Sequence, residues 1–197
     1  PWKGTLFRSR VYAQYISGEP APESRLQLAG ANNEELMSSP VFRSIGFIPR
    51  NWESMGPSIG NWHYAGGLNL RGYSGYQAVN SSESDTFFVF EGTRGAAVNL
   101  EWDFGNSLNP FKGKWGRWMK LNSYLFSDLG ILGNAEGNSG FRMNAGLGTA
   151  LTLDPKGRTH YGPYVIRLDF PLYLNRIPAG EEDFFAFRAI FGLARVF

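Results

Sequence analysis

The sequence predicts an all-β protein, an antiparallel transmembrane β-barrel of which this chain supplies the C-terminal six or so strands. Segments of strand length alternate apolar with polar side chains along much of the chain. Aromatic residues make up 16%, glycine takes 25 of 197 positions, and charged residues are only 18%, below what is usual in soluble domains. No segment approaches about 18 consecutive apolar residues, which excludes a transmembrane helix. A soluble β-sandwich or barrel is the alternative, although such proteins have this composition less often.

Charge and cysteine content exclude several other classes of protein. The formal net charge is +2 with a pI near 9.0, an excess too small and too scattered to predict nucleic-acid binding. The absence of cysteine excludes disulfides and thiolate metal sites. The chain opens in usable strand sequence and carries no signal peptide, so we expect a mature or C-terminal fragment of a larger protein.

Each of the first two predicted strands has one apolar face and one polar face. In residues 5–16, apolar side chains such as Phe7 and Val11 alternate with Arg8 and Arg10. The second strand, residues 86–104, has the cleanest alternation in the chain. Period-two alternation with a charged second face predicts strands that separate an apolar from a polar medium.

Four further strands follow at regular intervals. The third, residues 118–129, sets leucines against Tyr124, Phe126 and Asp128, and a turn is predicted at 130–140. The fourth, fifth and sixth strands are predicted at 141–153, 164–174 and 184–197. In the fifth, a proline must occupy a position where no ladder donor is required.

The connection between the first two strands, residues 17–85, is exceptionally long. It is rich in proline and glycine, and connections this long in compact domains tend to be functional. Its second half holds Leu70-Arg71-Gly72-Tyr73 behind the glycine pair Gly66-Gly67. Glycine permits close backbone approach, and a guanidinium flanked by such residues favours a carboxylate partner. We therefore expect a functional loop in which Arg71 binds a carboxylate.

The loops differ in length between the two ends of the predicted sheet, which favours an outer-membrane barrel over a sandwich. An interfacial belt of aromatic residues is expected at the tight-turn end, formed by Trp102, Trp115, Trp118, Tyr161 and Tyr164. Six strands are too few to close a barrel, and lipid tolerates no open sheet edge. The remaining strands of the barrel are therefore expected outside this chain; the N-terminal domains also expected there are implied by the family resemblance given below.

A series of short motifs occurs in a fixed order along nearly the whole chain. They are Gly66-Gly67 with Leu70-Arg71-Gly72-Tyr73, Glu101, Phe126-Ser127-Asp128-Leu129-Gly130, Arg142-Met143-Asn144-Ala145-Gly146-Leu147-Gly148, Gly162-Pro163 with Arg167-Leu168-Asp169-Phe170-Pro171-Leu172, and the terminal Phe197. This order resembles the C-terminal half of the bacterial surface antigen superfamily. These are outer-membrane barrels that insert or translocate proteins and usually carry periplasmic POTRA domains. The resemblance implies a complete barrel of about 16 strands, within the even-numbered range of such barrels.

The resemblance also implies that the long connection is an external loop that folds back into the barrel lumen and forms a structural lock with the barrel wall. Carried over, Arg71 pairs with Asp128, and Phe197 closes the barrel. The other lock residues are Gly72, Tyr73, Glu101, Phe126 and Gly130. The residues alone leave two other possibilities open, in which Arg71 faces solvent or pairs with Glu101 or Asp169. The loop departs from the family in its length and more loosely resembles barrels fused behind envelope domains, including metallopeptidase-like ones.

The resemblance implies insertion or translocation of proteins at the outer membrane of a Gram-negative-type bacterium. The implied partners are outer-membrane lipid, the missing N-terminal part of the same chain, unfolded outer-membrane or secreted proteins, and accessory lipoproteins. A membrane anchor for an N-terminal enzyme or binding domain is the alternative, and a passive porin is a second one.

No catalytic constellation, cofactor site or metal site is predicted in the chain. His63 and His160 are isolated, and the acidic run at 181–183 favours a solvated loop over a cation site. The lumen-facing arginines and lysine either pair with inward carboxylates or form an anion-favouring wall.

Overall fold

The fold of the chain is described by a computed structural model. It describes residues 4–21, 24–31, 35, 38, 62–64, 66–74, 79–82, 85–88, 91–105, 109–111, 113–133, 140–154, 163–177 and 181–193, with the backbone alone described at 62–64, 79–82, 85–88 and 193. Within these ranges, no helix has the length and apolar character needed to cross a membrane. The described strands are β1 Leu6–Tyr15, β2 Leu26–Gln27, β3 Trp62–Tyr64, β4 Val79–Ser82, β5 Asp85–Phe88, β6 Glu91–Gly92, β7 Arg94–Asp103, β8 Met119–Gly133, β9 Gly140–Leu153, β10 Tyr164–Leu174 and β11 Ile190–Leu193.

One seven-stranded sheet dominates the fold, with the strand order β1-β7-β8-β9-β10-β11-β3. Every neighbouring pair is antiparallel except β11 and β3, which run parallel. Two small sheets, β2-β6 and β4-β5, complete the described strands. The prediction of an all-β fold with mainly antiparallel pairing is confirmed. Within the described residues the sheet is open, with β1 and β3 as its edge strands.

The two faces of the large sheet differ in the side chains that they carry. Charged and polar side chains are buried on the inner face: Asn99, Glu101, Asp103, Asp128, Arg142, Asn144, Arg167 and Asp169. Large apolar side chains are exposed on the outer face: Phe7, Val11, Tyr15, Val98, Trp102, Leu125, Ile131, Phe141, Leu147 and Leu168. Because side chains alternate along each strand, the period-two pattern places these two sets on opposite faces.

The second and third strands differ from their predicted bounds. The strand predicted at 86–104 is interrupted, because Asp85–Phe88 pairs with β4 and Glu91–Gly92 pairs with β2. Only Arg94–Asp103 belongs to the large sheet. The turn predicted to begin at Gly130 was wrong, since β8 continues through Gly133. A side chain at Gly130 would lie 2.7 Å from Leu70 Cδ1, so this glycine permits close packing of the loop.

The connection predicted at 17–85 contains ordered elements. Its segments 26–31 and 66–74 are linked by backbone hydrogen bonds from Leu68 N to Gln27 O and from Leu70 N to Leu28 O. Both segments contribute to an apolar cluster that also includes side chains of the sheet: Leu26, Leu28, Leu68, Leu70, Tyr73, Ala97, Leu132 and Leu174. This cluster fixes the loop against the inner wall.

The sixth predicted strand, residues 184–197, is regular only from Ile190 onward within the described range, which ends at 193. An isolated bridge joins Phe185 to Tyr173, but the ladder with β10 is then interrupted until Ile190 pairs with Asp169. Pro171 has no N–H to donate at this point, and β10 is also bulged there against β9.

Arg188 supplies hydrogen bonds where the ladder is interrupted. Its guanidinium donates to the carbonyl oxygens of Pro171 and Leu172, both at 3.3 Å, and its Nε lies 2.9 Å from Glu181 Oε2. The Arg188 Nη2 also pairs with Glu181. A buried cation thus replaces part of the missing backbone pairing.

Candidate functional site

Four inward residues on two neighbouring strands form a platform. Asn99 and Glu101 lie two residues apart on β7, and Phe126 and Asp128 lie two residues apart on β8. The register pairs Asn99 with Asp128 and Glu101 with Phe126. Because residues two apart share a face, the four side chains form one polar and aromatic surface on the inner wall.

Arg71 of the loop lies on this platform in the 3-10 turn Arg71–Tyr73. Its side chain is fully buried. Its Nε donates to Asp128 Oδ2 at 2.9 Å, and its Nη2 donates to Asp128 Oδ1 at 2.7 Å, so the contact is bidentate. Its Nη1 donates to Glu101 Oε1 at 2.6 Å. Two of the candidate partners that the sequence left open, Asp128 and Glu101, therefore contact the same guanidinium.

Phe126 and Asn99 of the platform also contribute to the lock, Phe126 by contact with the guanidinium and Asn99 by a hydrogen bond to Asp128. The Arg71 Cζ lies 4.0 Å from the centroid of the Phe126 ring, a cation–π contact. The backbone N of Arg71 donates to Asp128 Oδ2 at 3.1 Å, and Asn99 Nδ2 donates to Asp128 Oδ1 at 3.0 Å. Asp128 thus accepts four hydrogen bonds while fully excluded from solvent.

The charges at the site strongly favour the protonated guanidinium. Burial alone would lower the pKa of Arg71, but the nearby charges of Asp128, Asp169 and Glu101 outweigh burial and raise this pKa above its ordinary value. Arg71 therefore remains a cation at any physiological pH. Arg71 is the cation that contacts both carboxylates, Asp128 and Glu101. It therefore compensates their buried negative charge.

Gly72 and Tyr73 bring the loop against β9 and β10, the next two strands of the sheet after β8. A Cβ at Gly72 would lie 2.5 Å from Leu174 Cδ2 and 2.7 Å from Asn144 Cβ, so only glycine fits at this approach. The Tyr73 hydroxyl donates to Asn175 Oδ1 at 3.0 Å. Burial raises the pKa of Tyr73, and the phenol stays neutral in this contact.

The glycine pair before the lock turns the loop backbone in conformations that other residues adopt poorly. Gly66 has φ +140° and Gly67 has φ +51°. The Gly67 N donates to Glu35 Oε2 at 2.8 Å, and the Gly67 carbonyl accepts from Arg10 Nη2 at 3.0 Å. The glycines thus sit between an acidic residue of the loop and a cation of β1.

Sequence reasoning missed Asn99 as a member of this site. Its amide contacts Asp128 and also donates to the carbonyl of Asn69 at 3.0 Å, while its Oδ1 accepts from Arg10 at 3.1 Å. Asn99 therefore links β1, the loop and the lock. The one available signal was its inward parity two residues before Glu101.

The other inward arginines have distinct environments. Arg8 pairs with Asp103 at 2.7 Å. This agrees with the first of the two predicted alternatives, in which inward arginines pair with inward carboxylates. Arg167 Nε lies 2.8 Å from Asp169 Oδ2, and the other oxygen of Asp169 accepts from Tyr124 at 2.5 Å. In the described residues no group of three His, Cys, Asp or Glu side chains is arranged to hold a metal ion.

Several sequence candidates cannot be placed in full. Phe197, His160 and Tyr161 lie outside the described residues, and His63 is described only as a backbone position in β3. Glu181 from the acidic run contacts Arg188.

Comparisons with protein-family models, curated proteins and solved structures found no match.

Proposed function

We propose that this chain is part of an outer-membrane β-barrel that acts in inserting or translocating other proteins. The observation that carries the membrane part is the inverted polarity of the sheet, with buried charges inside and exposed apolar side chains outside. A water-soluble domain rarely exposes so extended an apolar surface. A lipid-facing sheet requires one.

Exposed aromatic residues lie near both ends of β1 on the outer face, Phe7 at one end and Tyr15 at the other, with the aliphatic Val11 between them. The exposed Trp102 pairs with Phe7, and the exposed Tyr164 begins β10 at the same end of the sheet. Aromatic belts at both interfaces with aliphatic residues between them are typical of membrane barrels.

The strand lengths fit the same interpretation. The strands β1, β7, β8, β9 and β10 each have between 10 and 15 residues. A tilted transmembrane strand requires about 9–11 residues. The sheet can therefore span the apolar core of a bilayer.

The lock supports an active barrel rather than a passive pore. Arg71 holds a buried loop across the inner wall through two carboxylates on separate strands. A loop fixed in this way obstructs free passage through the lumen. Within the described residues, β11 pairs with β10 at four positions and with β3 at three, and β3 is an edge strand of the large sheet. An edge strand presents unpaired backbone donors and acceptors, which are suited to pairing with strands of other polypeptides.

Two measurements test the proposal. Purified protein should insert into lipid vesicles in a folded form that migrates differently on electrophoresis before and after boiling, and depletion in cells should reduce the amounts of other folded barrel proteins. Wild-type protein should restore them, while Arg71→Ala should not. A soluble, vesicle-independent protein would refute the membrane part of the proposal. An unchanged envelope composition after depletion would refute the assembly part and leave a membrane anchor as the better candidate.

A further inference from the structure

The connection between β7 and β8, residues 104–118, is a basic and aromatic turn at one end of the large sheet. The sequence between Asp103 and Asp128 contains no acidic residue and has cations at Lys112, Lys114, Arg117 and Lys120. Lys120 lies on β8 with the parity of the inner face. Lys114 and Arg117 belong to the turn itself, and both are exposed. The described part of the turn therefore presents positive charge to its surroundings.

Hydrogen bonds and ring contacts hold this turn in a defined conformation. The Asn109 Oδ1 accepts from the backbone N of Phe111 at 3.0 Å and from that of Leu121 at 3.4 Å, which ties the turn to the start of β8. A 3-10 turn follows at Trp115–Arg117, where Trp118 N donates to the Trp115 carbonyl at 3.2 Å. The rings of Trp115 and Trp118 lie 5.2 Å apart between centroids. The two cations of the turn are thus held on an ordered scaffold.

The turn is continuous with the exposed apolar residues at this end of the sheet. Trp115 is 59% exposed and lies in sequence between Lys114 and Arg117. The exposed pair of Phe7 and Trp102 lies beside the point at which β7 ends and the turn begins. Tryptophan favours the interface of a bilayer, where lysine and arginine extend their charged ends to the headgroups. In a membrane-embedded sheet, the turn therefore lies at headgroup level.

The connections at the two ends of the sheet carry opposite charge. At the end that holds the turn, residues 104–118 and 154–163 contain five basic residues and one acidic residue, Asp154. Asp154 donates its backbone N–H to the Trp118 carbonyl at 2.8 Å, so its carboxylate offsets part of the local positive charge. At the other end, residues 17–85 contain seven acidic and four basic residues, and residues 175–183 contain three acidic and one basic residue. An anionic surface therefore attracts the first end and repels the second.

We propose that the turn at 104–118 binds the headgroups of anionic phospholipids through Lys114 and Arg117. The proposal rests on the membrane part of the proposed function and adds the class of lipid that this end of the barrel prefers. A guanidinium offers a phosphate two parallel donors, and an ammonium beside it adds a second positive charge. The exposed Trp115 ring between them contacts the apolar part of the same lipid layer.

Brominated lipids test this preference, because they quench tryptophan fluorescence only at short range. The purified protein is folded into phosphatidylcholine vesicles that contain the same small fraction of either brominated phosphatidylcholine or brominated phosphatidylglycerol. At low ionic strength, phosphatidylglycerol should be enriched beside the protein by about tenfold or more, since each Lys or Arg near an anionic surface contributes about fivefold. Added sodium chloride should reduce the enrichment, because salt screens these charges.

Two exposed arginines at opposite ends of the sheet provide a matched pair of variants. Arg117→Gln should reduce the enrichment by about fivefold, whereas Arg94→Gln should leave it unchanged. Lys114→Gln combined with Arg117→Gln should abolish the enrichment. Arg117→Lys should retain most of it, which keeps the test informative if the glutamine variants do not fold. Trp115→Phe should reduce the excess quenching by phosphatidylglycerol, because this ring lies between the two cations in sequence.

Four results would overturn the proposal in a protein that folds into phosphatidylcholine vesicles. They are equal quenching by the two brominated lipids, an enrichment that persists without both cations, an equal loss in Arg94→Gln, and an enrichment that inorganic phosphate abolishes at an ionic strength where chloride does not. The last result would assign the cations to free phosphate. All four leave the proposed membrane role intact. A protein that folds into neither kind of vesicle would refute that role and the lipid site together.

Discussion

Replacing Arg71 with alanine tests the lock most directly. The substitution removes two hydrogen bonds to Asp128 and one to Glu101, all from a fully buried side chain. Both carboxylates remain buried, with Glu101 only 3% exposed. Breaking a buried ion pair from one side destabilises a protein by about 3–5 kcal/mol. Since two carboxylates lose their cation here, we expect the upper end of that range.

A loss of about 5 kcal/mol reduces the folding equilibrium constant by more than about a thousandfold. The assay is urea titration of the folded, heat-modifiable form in lipid vesicles. Arg94→Ala is the matched control, because Arg94 is an exposed arginine on the same strand as Glu101. It should change the free energy of unfolding by less than about 0.5 kcal/mol.

A compensating variant separates charge from packing. Adding Glu101→Gln and Asp128→Asn to Arg71→Ala removes the stranded negative charges while keeping the side-chain shapes. This triple variant should recover at least about half of the lost stability, because the main cost is uncompensated buried charge. An Arg71→Ala protein as stable as the Arg94→Ala control, or a triple variant no better than Arg71→Ala alone, would refute the reasoning.

Three other substitutions probe the surroundings of the lock by the same titration. Gly72→Ala should cost about 1–3 kcal/mol, because its Cβ would lie 2.5 Å from Leu174 Cδ2; a neutral result would show that the wall yields easily. Asn99→Ala should cost about 1–3 kcal/mol and increase proteolysis of the loop, because an Asp128 contact and a loop carbonyl lose their donor; unchanged proteolysis would contradict the link. Arg188→Ala should accelerate amide exchange in residues 184–189, whereas exchange equal to wild type would show that these residues hold their conformation independently.

The wall of the sheet could be predicted because its signal is local. Period-two alternation placed the strands at 141–153 and 164–174 to within one residue of the observed bounds. It also assigned polar residues to the inner face and apolar residues to the outer face. Alternation does not reveal where a strand changes partner, which is why the interruption before Arg94 was missed.

The bounds that failed were those set by long-range contacts. Gly130 has the composition of a turn, but it lies within β8 because Leu70 of the distant loop packs against it. Residues 184–189 have strand-like alternation, yet Pro171 on the facing strand provides no donor for them. In both cases the deciding residue lies far away in sequence.

The partners of Arg71 were predictable only as a set. Inward parity and the family resemblance pointed to Asp128, with Glu101 and Asp169 as alternatives, because all three lie on the same face. Choosing among them requires the register of β7 against β8, which brings Glu101 and Asp128 together beneath one guanidinium. Asn99 was missed because an inward asparagine carries no charge signal.

The lock and the edge of the sheet belong to the same loop, and their unequal strengths have a consequence for how the edge works. Arg71 follows Tyr64 by seven positions, so the segment between them reaches at most about 25 Å when extended. The lock is buried and held by charge, whereas the described pairing of β3 with β11 consists of backbone pairing at three parallel positions. A competing strand would therefore release β3 while the lock stays closed. The tether would keep β3 close enough to cover the edge again once that strand has left.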